Sequence, residues 1–385
     1  MKPIPYGKQF ISREDLDAVT GTLLSDFLTQ GPKIAEFEKA FSGYIGSRHA
    51  AAVNNGTAAL HLAALALGVN EQSNVITTPI TFAASANCVR YCGGNVYFAD
   101  IDPATYLIDL NKVEDLLRSK PKGFFNGIIP VDFAGRAVNL QDCKTLADQY
   151  DLWIIEDACH APGGYFTDTS GTKQYCGNSI FADAAVFSFH PVKHIACGEG
   201  GMITCNRDDI FKSIGLLRTH GITKDAALMH ENHGGWFYEM QELGYNYRLT
   251  DFQAALGLSQ LKRADAGLER RKAIARRYAE AFSGIGAITG QSGWSEGHAY
   301  HLYIIETQDR AGLYSHLRSK NIFAQVHYIP VHLLPYYQGL GWKKGDFPLA
   351  EHYYERCLSL PMYPSLADEE QEYVIETVIA YITGT

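Results

Sequence analysis

Between residues 50 and 205, short apolar runs alternate with segments that have a helical pattern. The runs at 51–53, 75–78, 96–100 and 152–157 show no alternation of polar and apolar side chains, as is typical of strands buried on both faces. A helical segment between two strands lets the chain return and run the second strand in the same direction. The pattern therefore predicts an α/β protein with a mostly parallel sheet covered by helices on both faces.

The remaining parts of the chain predict helices before and after this sheet. Ser12 and Asp15 have the spacing of a capping box, which predicts a helix that runs to about Leu24. After about residue 206 the pattern becomes helical, and 262–279 predicts a long helix rich in Arg and Lys. We expect these charges to lie on a solvated face and not to bind nucleic acid.

Strand and helix patterns resume after about residue 290, which predicts a second, smaller α/β domain. A chain of 385 residues exceeds the size of one ordinary core. We therefore expect a large domain with an N-terminal arm over residues 1–250, and linking helices with a small C-terminal domain over 251–385.

The composition argues against several classes of function. A net charge of −9 and the lack of a basic tract disfavour binding to nucleic acid or to an anionic membrane. The N-terminal segment has no apolar signal region, no apolar run is long enough to span a bilayer, and the eight cysteines form no CxxC pair. We expect a cytoplasmic protein with reduced thiols. Fourteen histidines without HExxH or paired Cys/His spacing predict no metal site.

Polar or aromatic residues follow the predicted strands, at the edge where parallel sheets bind ligands. Gly56 and Thr57 open a helix after the first of these strands, so they can bind a phosphate or serve as an ordinary helix start. Phe82 follows the second strand and can stack on a ligand or belong to the core. Asp157 ends a buried strand and needs a cation or hydrogen-bond donors, unless it is a helix cap.

Lys193 lies between two apparent core strands, in the stretch AAVFSFHPVKHIACGEGGMIT. A lysine in such a loop is exposed by default, but a desolvated lysine has a lowered pKa and becomes a nucleophilic amine. Ser188 ends the preceding strand and would face a phosphate, whereas His190 and His194 are expected to pack within the loop.

Taken together, these residues fit one cofactor. Pyridoxal phosphate requires a lysine for a covalent link, an acid partner for its ring nitrogen, an aromatic ring to stack on and a site for its phosphate. The four roles fall to Lys193, to Asp157, to Phe82, and to Gly56 and Thr57 with Ser188. The combination predicts a pyridoxal-phosphate enzyme far more specifically than any one of its members.

Six segments, in order along the chain, carry a resemblance to a known family: TPITFAASAN, EDACHA, VFSFHPVK, RTHGI, GYNYRLTD and AQVHYIPVH. Over nearly its whole length the sequence resembles the sugar-nucleotide aminotransferases of the DegT group, which are fold-type-I pyridoxal-phosphate enzymes. The segments IPYGKQ and FLTQGP are similar to the branch of pseudaminic acid biosynthesis, which is linked to flagellin glycosylation. The resemblance implies the fold-type-I transferase fold, with a mostly parallel sheet in the large domain and a smaller C-terminal α/β domain.

The resemblance also implies a reaction and a site. Glutamate would give its amino group to the 4-keto group of a UDP-linked 4-keto-6-deoxy-N-acetylhexosamine, and Lys193 would hold the cofactor and move protons. His160 would lie near the ring oxygen of the cofactor, unless it is a structural histidine. Asn246 would reach the phosphate site of a partner subunit, in a homodimer with two shared active sites. Besides Gly56, Ser188 and Asn246, the sugar-nucleotide pocket would contain Tyr6, Asp26, Phe27, Leu28, Thr29, Arg248, Gln325, Val326, His327 and Tyr328.

Three other functions compete with this one. Another nucleotide-sugar aminotransferase, such as one that makes GDP-perosamine or acts at carbon 3, would use the same fold and cofactor. A sugar dehydratase of this fold replaces the lysine by histidine, so Lys193 argues against it. A catalytically silent scaffold would have no reason to keep the lysine, aspartate and phosphate-site residues together. The loop from His194 to Cys197 departs from the branch, which often carries hydroxyl residues there.

Overall fold

The computed structural model describes residues 2–384, in which strands and helices alternate over most of the first 205 residues. The strands, numbered in chain order, are β1 (Ile4–Pro5), β2 (His49–Val53), β3 (Asn74–Thr77), β4 (Asn95–Phe98), β5 (Gly127–Ile129), β6 (Trp153–Asp157), β7 (Tyr165–Thr167), β8 (Lys173–Tyr175), β9 (Ala184–Ser188), β10 (Gly201–Cys205), β11 (Ile222–Thr223), β12 (Glu239–Met240), β13 (Thr289–Gly290), β14 (Tyr303–Glu306), β15 (Ile322–Phe323) and β16 (Cys357–Leu360). The α-helices are α1 (Arg13–Leu23), α2 (Pro32–Ile45), α3 (Gly56–Ala66), α4 (Ala84–Tyr91), α5 (Leu110–Arg118), α6 (Leu140–Tyr150), α7 (Asp208–Leu217), α8 (Asp251–Leu261), α9 (Ala264–Phe282), α10 (Arg310–Ser319), α11 (Pro335–Gln338), α12 (Pro348–Arg356) and α13 (Asp368–Thr383). Short 3-10 helices lie at Phe133–Gly135 and Val331–Leu333.

The central sheet has seven strands in the order β2-β10-β9-β6-β5-β3-β4. All neighbours are parallel except β10, which is antiparallel to both β2 and β9. Its strands are buried on both faces, since β10 has no exposed residue and β9 opens only at its last residue, Ser188. The predicted mostly parallel α/β sheet is therefore confirmed.

The predicted first helix is confirmed together with its cap. The Ser12 hydroxyl accepts a hydrogen bond from the Asp15 backbone N–H, and the Asp15 carboxylate accepts one from the Ser12 backbone N–H. These bonds satisfy donors that the first turn of α1 would otherwise leave unpaired.

Two expectations for the second half of the chain hold only in part. The helical pattern expected after residue 206 holds for α7, but residues 218–250 form turns and the short pair β11 and β12. Gly221 has φ +68°, and a side chain there would collide with the backbone oxygen of Glu242, so this segment bends too sharply for a helix. The face of α9 is not wholly solvated either, because Arg271 is buried.

The C-terminal part contains an antiparallel sheet in the order β13-β14-β16, packed against α9, α10 and α13. The two-residue strand β15 pairs in parallel with β1. Elements on both sides of residue 250 pack together, α8 against α1 and α2, and β1 beside β15. The division into domains at 250 and 251 therefore stays a prediction.

Within residues 2–384, no helix is both long enough and apolar enough to cross a membrane. All eight cysteines are free, and six of them are buried.

Candidate active site

A cavity of about 670 Å³ opens where the parallel strands end. The residues that follow β2, β3, β6 and β9 all contribute to its wall, as expected for a parallel sheet. Of the residues predicted from sequence, the structure places these in the wall: Tyr6, Gly56, Thr57, Phe82, Asp157, His160, Ser188, Lys193, His327 and Tyr328.

The other predicted residues lie elsewhere in this chain. Asp26 and Phe27 line a larger cavity of about 730 Å³ beside α1 and α8, which shares no lining residue with the cavity of Lys193. Leu28 and Thr29 are joined to the start of α8, through the Leu28 carbonyl and a bridge to Thr250. Four further predicted residues are outside the wall of the Lys193 cavity: Asn246, Arg248, Gln325 and Val326. Their assignment to a sugar pocket stays a prediction.

Lys193 follows β9 in a loop that folds back toward β10. Its backbone N–H donates to the His190 carbonyl at 2.9 Å, and the Phe189 N–H donates to the Gly200 carbonyl at 2.8 Å. The residue borders the open cavity, but protein surrounds its amine, and this burial lowers the pKa of Lys193 to about 8. An amine with this pKa is unprotonated far more often at neutral pH than an exposed lysine, so it can act as nucleophile and base.

Asp157, the last residue of β6, is one of two acidic residues that line the cavity, with Glu199. Its Oδ2 accepts a hydrogen bond from Ser85 Oγ at 2.6 Å, and its Oδ1 accepts one from the Cys159 backbone N–H at 3.2 Å. Phe82, from the loop after β3, is 61% exposed although it is a large apolar residue. Its ring borders the cavity and is therefore available to stack on a flat ligand.

The start of α3 faces the same cavity and can bind an anion. Asn55 caps this helix, since its side-chain oxygen accepts from the Ala58 N–H at 2.7 Å. A Cβ on Gly56 would lie 3.0 Å from the Ser188 Cβ, so glycine permits the close approach of helix and strand. Backbone N–H groups of a helix start, with the hydroxyls of Thr57 and Ser188, are the donors that a phosphate requires.

His160 is held as a neutral ring with a defined proton position. Burial lowers its pKa well below the usual value, and the positive charge of Lys193 adds to this effect. Its Nδ1 accepts a hydrogen bond from the Ala134 N–H at 3.3 Å, so the ring proton lies on Nε2, which is 3.2 Å from the Tyr328 hydroxyl oxygen.

Sequence reasoning missed several residues of this region. Ser85 and Thr81 form hydrogen bonds that lead to Asp157. His301 lines the cavity beside His160, with ring centroids 4.3 Å apart, and Arg271 lies behind it. All four belong to ordinary-looking helical or strand-flanking segments, and no spacing signal in the sequence marks them.

The residues around this cavity fit pyridoxal phosphate. A lysine with a lowered pKa, a carboxylate with two donors on its oxygens, an exposed aromatic face and a capped helix start surround a single space. Lys193 would hold the cofactor, Asp157 would contact its ring nitrogen, and the start of α3 with Ser188 would hold its phosphate.

Comparison with known proteins agrees with this geometry. Residues 9–379 match the model of the DegT/DnrJ/EryC1/StrS aminotransferase family. The match includes every residue in the wall of the Lys193 cavity except Tyr6. Aminotransferases of this family use pyridoxal phosphate.

Individual relatives cover the chain almost completely. The spore coat polysaccharide biosynthesis protein SpsC of Bacillus subtilis is 40% identical over 390 residues, which are 99% of this chain and 97% of that protein. The UDP-4-amino-4,6-dideoxy-N-acetyl-β-L-altrosamine transaminase of Campylobacter jejuni is 36% identical over 391 residues, 98% of this chain and 97% of that enzyme. PseC of Helicobacter pylori, an aminotransferase involved in the biosynthesis of pseudoaminic acid, has a solved structure that matches with a TM-score of 0.90 and 30% identity over 100% of both chains.

Proposed function

The chain belongs to the DegT/DnrJ/EryC1/StrS aminotransferase family, and from this premise we propose its substrate and pathway. The protein transfers an amino group from glutamate to carbon 4 of a UDP-linked 4-keto-6-deoxy-N-acetylhexosamine, in pseudaminic acid biosynthesis. The single observation that carries the transaminase chemistry is the position of Lys193, whose lowered pKa suits a base, in one cavity with Asp157. The similarity to the Campylobacter transaminase and to PseC supports the choice of sugar.

Pyridoxal phosphate, when bound, supplies an electron sink for the pair left on the donor carbon when its proton is removed. Lys193 would hold the cofactor and would act as the general base that removes the α-proton of the donor. Asp157 would contact the ring nitrogen and keep it protonated. Phe82 would pack on the ring face, and Gly56, Thr57 and Ser188 would hold the phosphate.

The sugar end of the site involves Tyr6 and Tyr328. Both border the Lys193 cavity, and Tyr6 reaches it from the N-terminal arm, where its ring lies 5.0 Å from that of His327. Since the Nε2–H of His160 points at the Tyr328 oxygen, the Tyr328 hydroxyl proton is free to bind an oxygen of the sugar.

A homodimer completes the proposed site. Asn246 is exposed and lies outside its own cavity, which suits a residue that serves the phosphate site of a partner subunit. The neighbouring loop exposes large apolar side chains, with Trp236 76% and Leu243 78% exposed. A second copy of the chain would bury this apolar surface. A monomer at micromolar concentration in sedimentation experiments would contradict this part of the proposal.

A second candidate is amination of a different nucleotide-linked ketosugar, for example a GDP-linked one. The 40% identity to a relative named for spore coat polysaccharide biosynthesis supports this candidate, because that name does not mention pseudaminic acid.

The experiment combines cofactor detection with a choice of sugars. The purified protein should absorb visible light, lose this band on borohydride reduction, and yield a modified peptide that contains Lys193. With glutamate it should convert the UDP-linked 4-ketosugar to a 4-amino sugar, identified by mass and NMR. Turnover of a GDP-linked ketosugar alone would select the second candidate, and a protein that takes up no pyridoxal phosphate would refute both.

A further inference from the structure

Two buried hydroxyl groups lead to the carboxylate of Asp157 from the segment that begins α4. Thr81 Oγ1 lies 2.7 Å from Ser85 Oγ, and Ser85 Oγ lies 2.6 Å from Asp157 Oδ2. Thr81 is 2% exposed and Ser85 is 0% exposed. The three side chains therefore form one buried chain of hydrogen bonds, and the residues at its two ends, Thr81 and Asp157, both line the wall of the cavity.

The hydrogen bonds in this chain have a defined direction. An ionised carboxylate can only accept, so Ser85 donates its single hydroxyl proton to Asp157. Ser85 then has lone pairs but no second proton, so Thr81 donates to it. Hydroxyls arranged in sequence polarise one another, which strengthens the bond at the carboxylate end.

The bonds also fix the plane of the Asp157 carboxylate. Ser85 holds Oδ2 from one side, and the Cys159 backbone N–H holds Oδ1 from the other at 3.2 Å. Rotation of the carboxylate would break both bonds and leave the Ser85 hydroxyl, which is 0% exposed, without its nearest acceptor. The remaining lone pairs are thereby kept in one orientation for a partner in the cavity.

Neither packing nor capping requires a serine at this position. The residue before α4, Ala83, makes no side-chain cap, and Ser85 lies within the first turn between the buried residues Ala84 and Ala86. An alanine at 85 would suit the helix at least as well. A fully buried hydroxyl is unfavourable unless it has partners. Besides Thr81, the Ser85 hydroxyl has two acceptors in reach, the Phe82 carbonyl at 3.3 Å and the Asp157 carboxylate at 2.6 Å, and the carboxylate is the nearer one.

We propose that Ser85, itself oriented by Thr81, is a positioning residue that aims the Asp157 carboxylate at the ring nitrogen of the cofactor. This inference rests on the proposed role of Asp157 in cofactor binding. A carboxylate held at the correct angle loses no rotational freedom when the cofactor binds. This increases the affinity for the cofactor and favours the proton on its ring nitrogen.

The test compares Ser85→Ala and Thr81→Val with the wild-type protein. Apo-protein is titrated with pyridoxal phosphate, and the dissociation constant is read from absorbance. We expect Ser85→Ala to raise this constant about tenfold and Thr81→Val, one bond further away, about threefold. With ¹⁵N-labelled cofactor, the ring-nitrogen signal should move toward its unprotonated position in Ser85→Ala.

Thr77→Val is the matched control. Thr77 is buried in β3 and donates to the Ile129 carbonyl at 2.8 Å, so the variant also removes a buried hydroxyl from the same sheet. Because the Thr77 hydroxyl bonds to Ile129 and not to Asp157, the control should lower the melting temperature of the apo-protein but leave the cofactor constant and the ¹⁵N signal unchanged.

The outcomes separate this inference from the proposed function. If the wild-type protein binds the cofactor and transaminates, but Ser85→Ala behaves like Thr77→Val in both readouts, the positioning role is wrong and the function stands. If the wild-type protein binds no cofactor, both the positioning role and the proposed function are wrong. A tenfold rise of the dissociation constant in Ser85→Ala, a smaller rise in Thr81→Val and none in Thr77→Val would support the directed chain of hydrogen bonds.

Discussion

The guanidinium of Arg271 donates a hydrogen bond to the backbone oxygen of His301 at 3.2 Å, from a side chain that is only 1% exposed. The same nitrogen lies 3.3 Å from the Tyr300 carbonyl and 3.0 Å from the Met362 carbonyl. Within residues 2–384 Arg271 has no carboxylate partner. This buried cation therefore joins α9 to the segment whose His301 side chain borders the Lys193 cavity.

We expect Arg271→Lys to lower the free energy of unfolding by about 3 kcal/mol. The lysine side chain is shorter, so its ammonium group cannot reach the position of the guanidinium nitrogen that contacts the three carbonyls, and an ammonium is more strongly hydrated and therefore harder to bury. Denaturant unfolding of the apo-protein measures the loss. Arg276→Lys, an exposed position on the same helix that pairs with Glu296, is the control and should change little. Equal losses of unfolding free energy in Arg271→Lys and Arg276→Lys would show that the buried hydrogen bonds of Arg271 add no more stability than the contacts of an exposed arginine.

The amine of Lys193 in the apo-protein should react with an amine-specific reagent along a pH curve centred near 8, whereas ordinary lysines titrate near 10.4. The lowered pKa also affects stability. Between about pH 8 and 10.5 the unfolded chain binds more protons than the folded one, so the contribution of Lys193 to stability rises with pH in this window. Peptide mapping of the labelled protein across pH measures the curve; a midpoint close to that of surface lysines would refute the buried-amine assignment.

The effect of Glu156→Gln on the stability of the folded protein should become more favourable as pH rises. Glu156 and Asp132 are buried within reach of each other and of Cys176, and burial followed by their mutual repulsion raises the pKa of Glu156 well above its usual value. An acid with a raised folded pKa keeps protons that the unfolded chain has released, so wild-type stability falls as pH rises above about 4.5. Glutamine retains a donor for Asp132 Oδ2, which has no hydrogen-bond partner in the described chain, and it does not titrate.

Melting temperatures of wild type and Glu156→Gln at pH 5 and pH 8 measure this effect, and the difference in favour of the variant should be larger at pH 8. Asp168→Asn is the control, and its difference from wild type should be the same at pH 5 and pH 8. Several hydrogen bonds, first among them that from Ser170, lower the pKa of Asp168 to about 2, so its contribution is present above its usual pKa and is lost as pH falls toward 2. A pH-independent difference for Glu156→Gln would contradict the raised pKa of Glu156.

His160→Gln should keep most of the activity, whereas His160→Leu should lose at least about tenfold in kcat/KM for the sugar. Glutamine offers an acceptor for the Ala134 N–H and a donor for the Tyr328 oxygen, which are the two functions of the imidazole. Leucine offers neither. Tyr328→Phe should match the leucine variant in the sugar half-reaction and leave the glutamate half-reaction within about twofold. A glutamine variant as impaired as the leucine one would mean that the ring shape, and not its hydrogen bonds, matters.

The residues at the strand ends were predictable from the sequence, because each of them follows a local apolar pattern that marks a strand. Phe82, Asp157 and Lys193 each follow an apolar run, and the carboxyl ends of parallel strands meet at one edge whatever the helices between them do. The second half of the chain was less predictable. Residues 218–250 carry few apolar side chains in a helical period, and their bends depend on positions such as Gly221, whose surroundings come from Glu242 across the loop.

The sequence by itself determined the mostly parallel α/β architecture, the presence of Lys193 and Asp157 at the edge where the strands end, and the family to which the chain belongs. Only the tertiary structure decided how these groups are held. Ser85 and Asp157 are 72 residues apart, and nothing local distinguishes this serine from any other in a helix. Arg271 belongs to a helix whose charges look solvated, and its burial appears only when α9 packs against residues 300–302. Periodicity records which face of an element is apolar, whereas a buried polar contact depends on what the rest of the chain brings to that face.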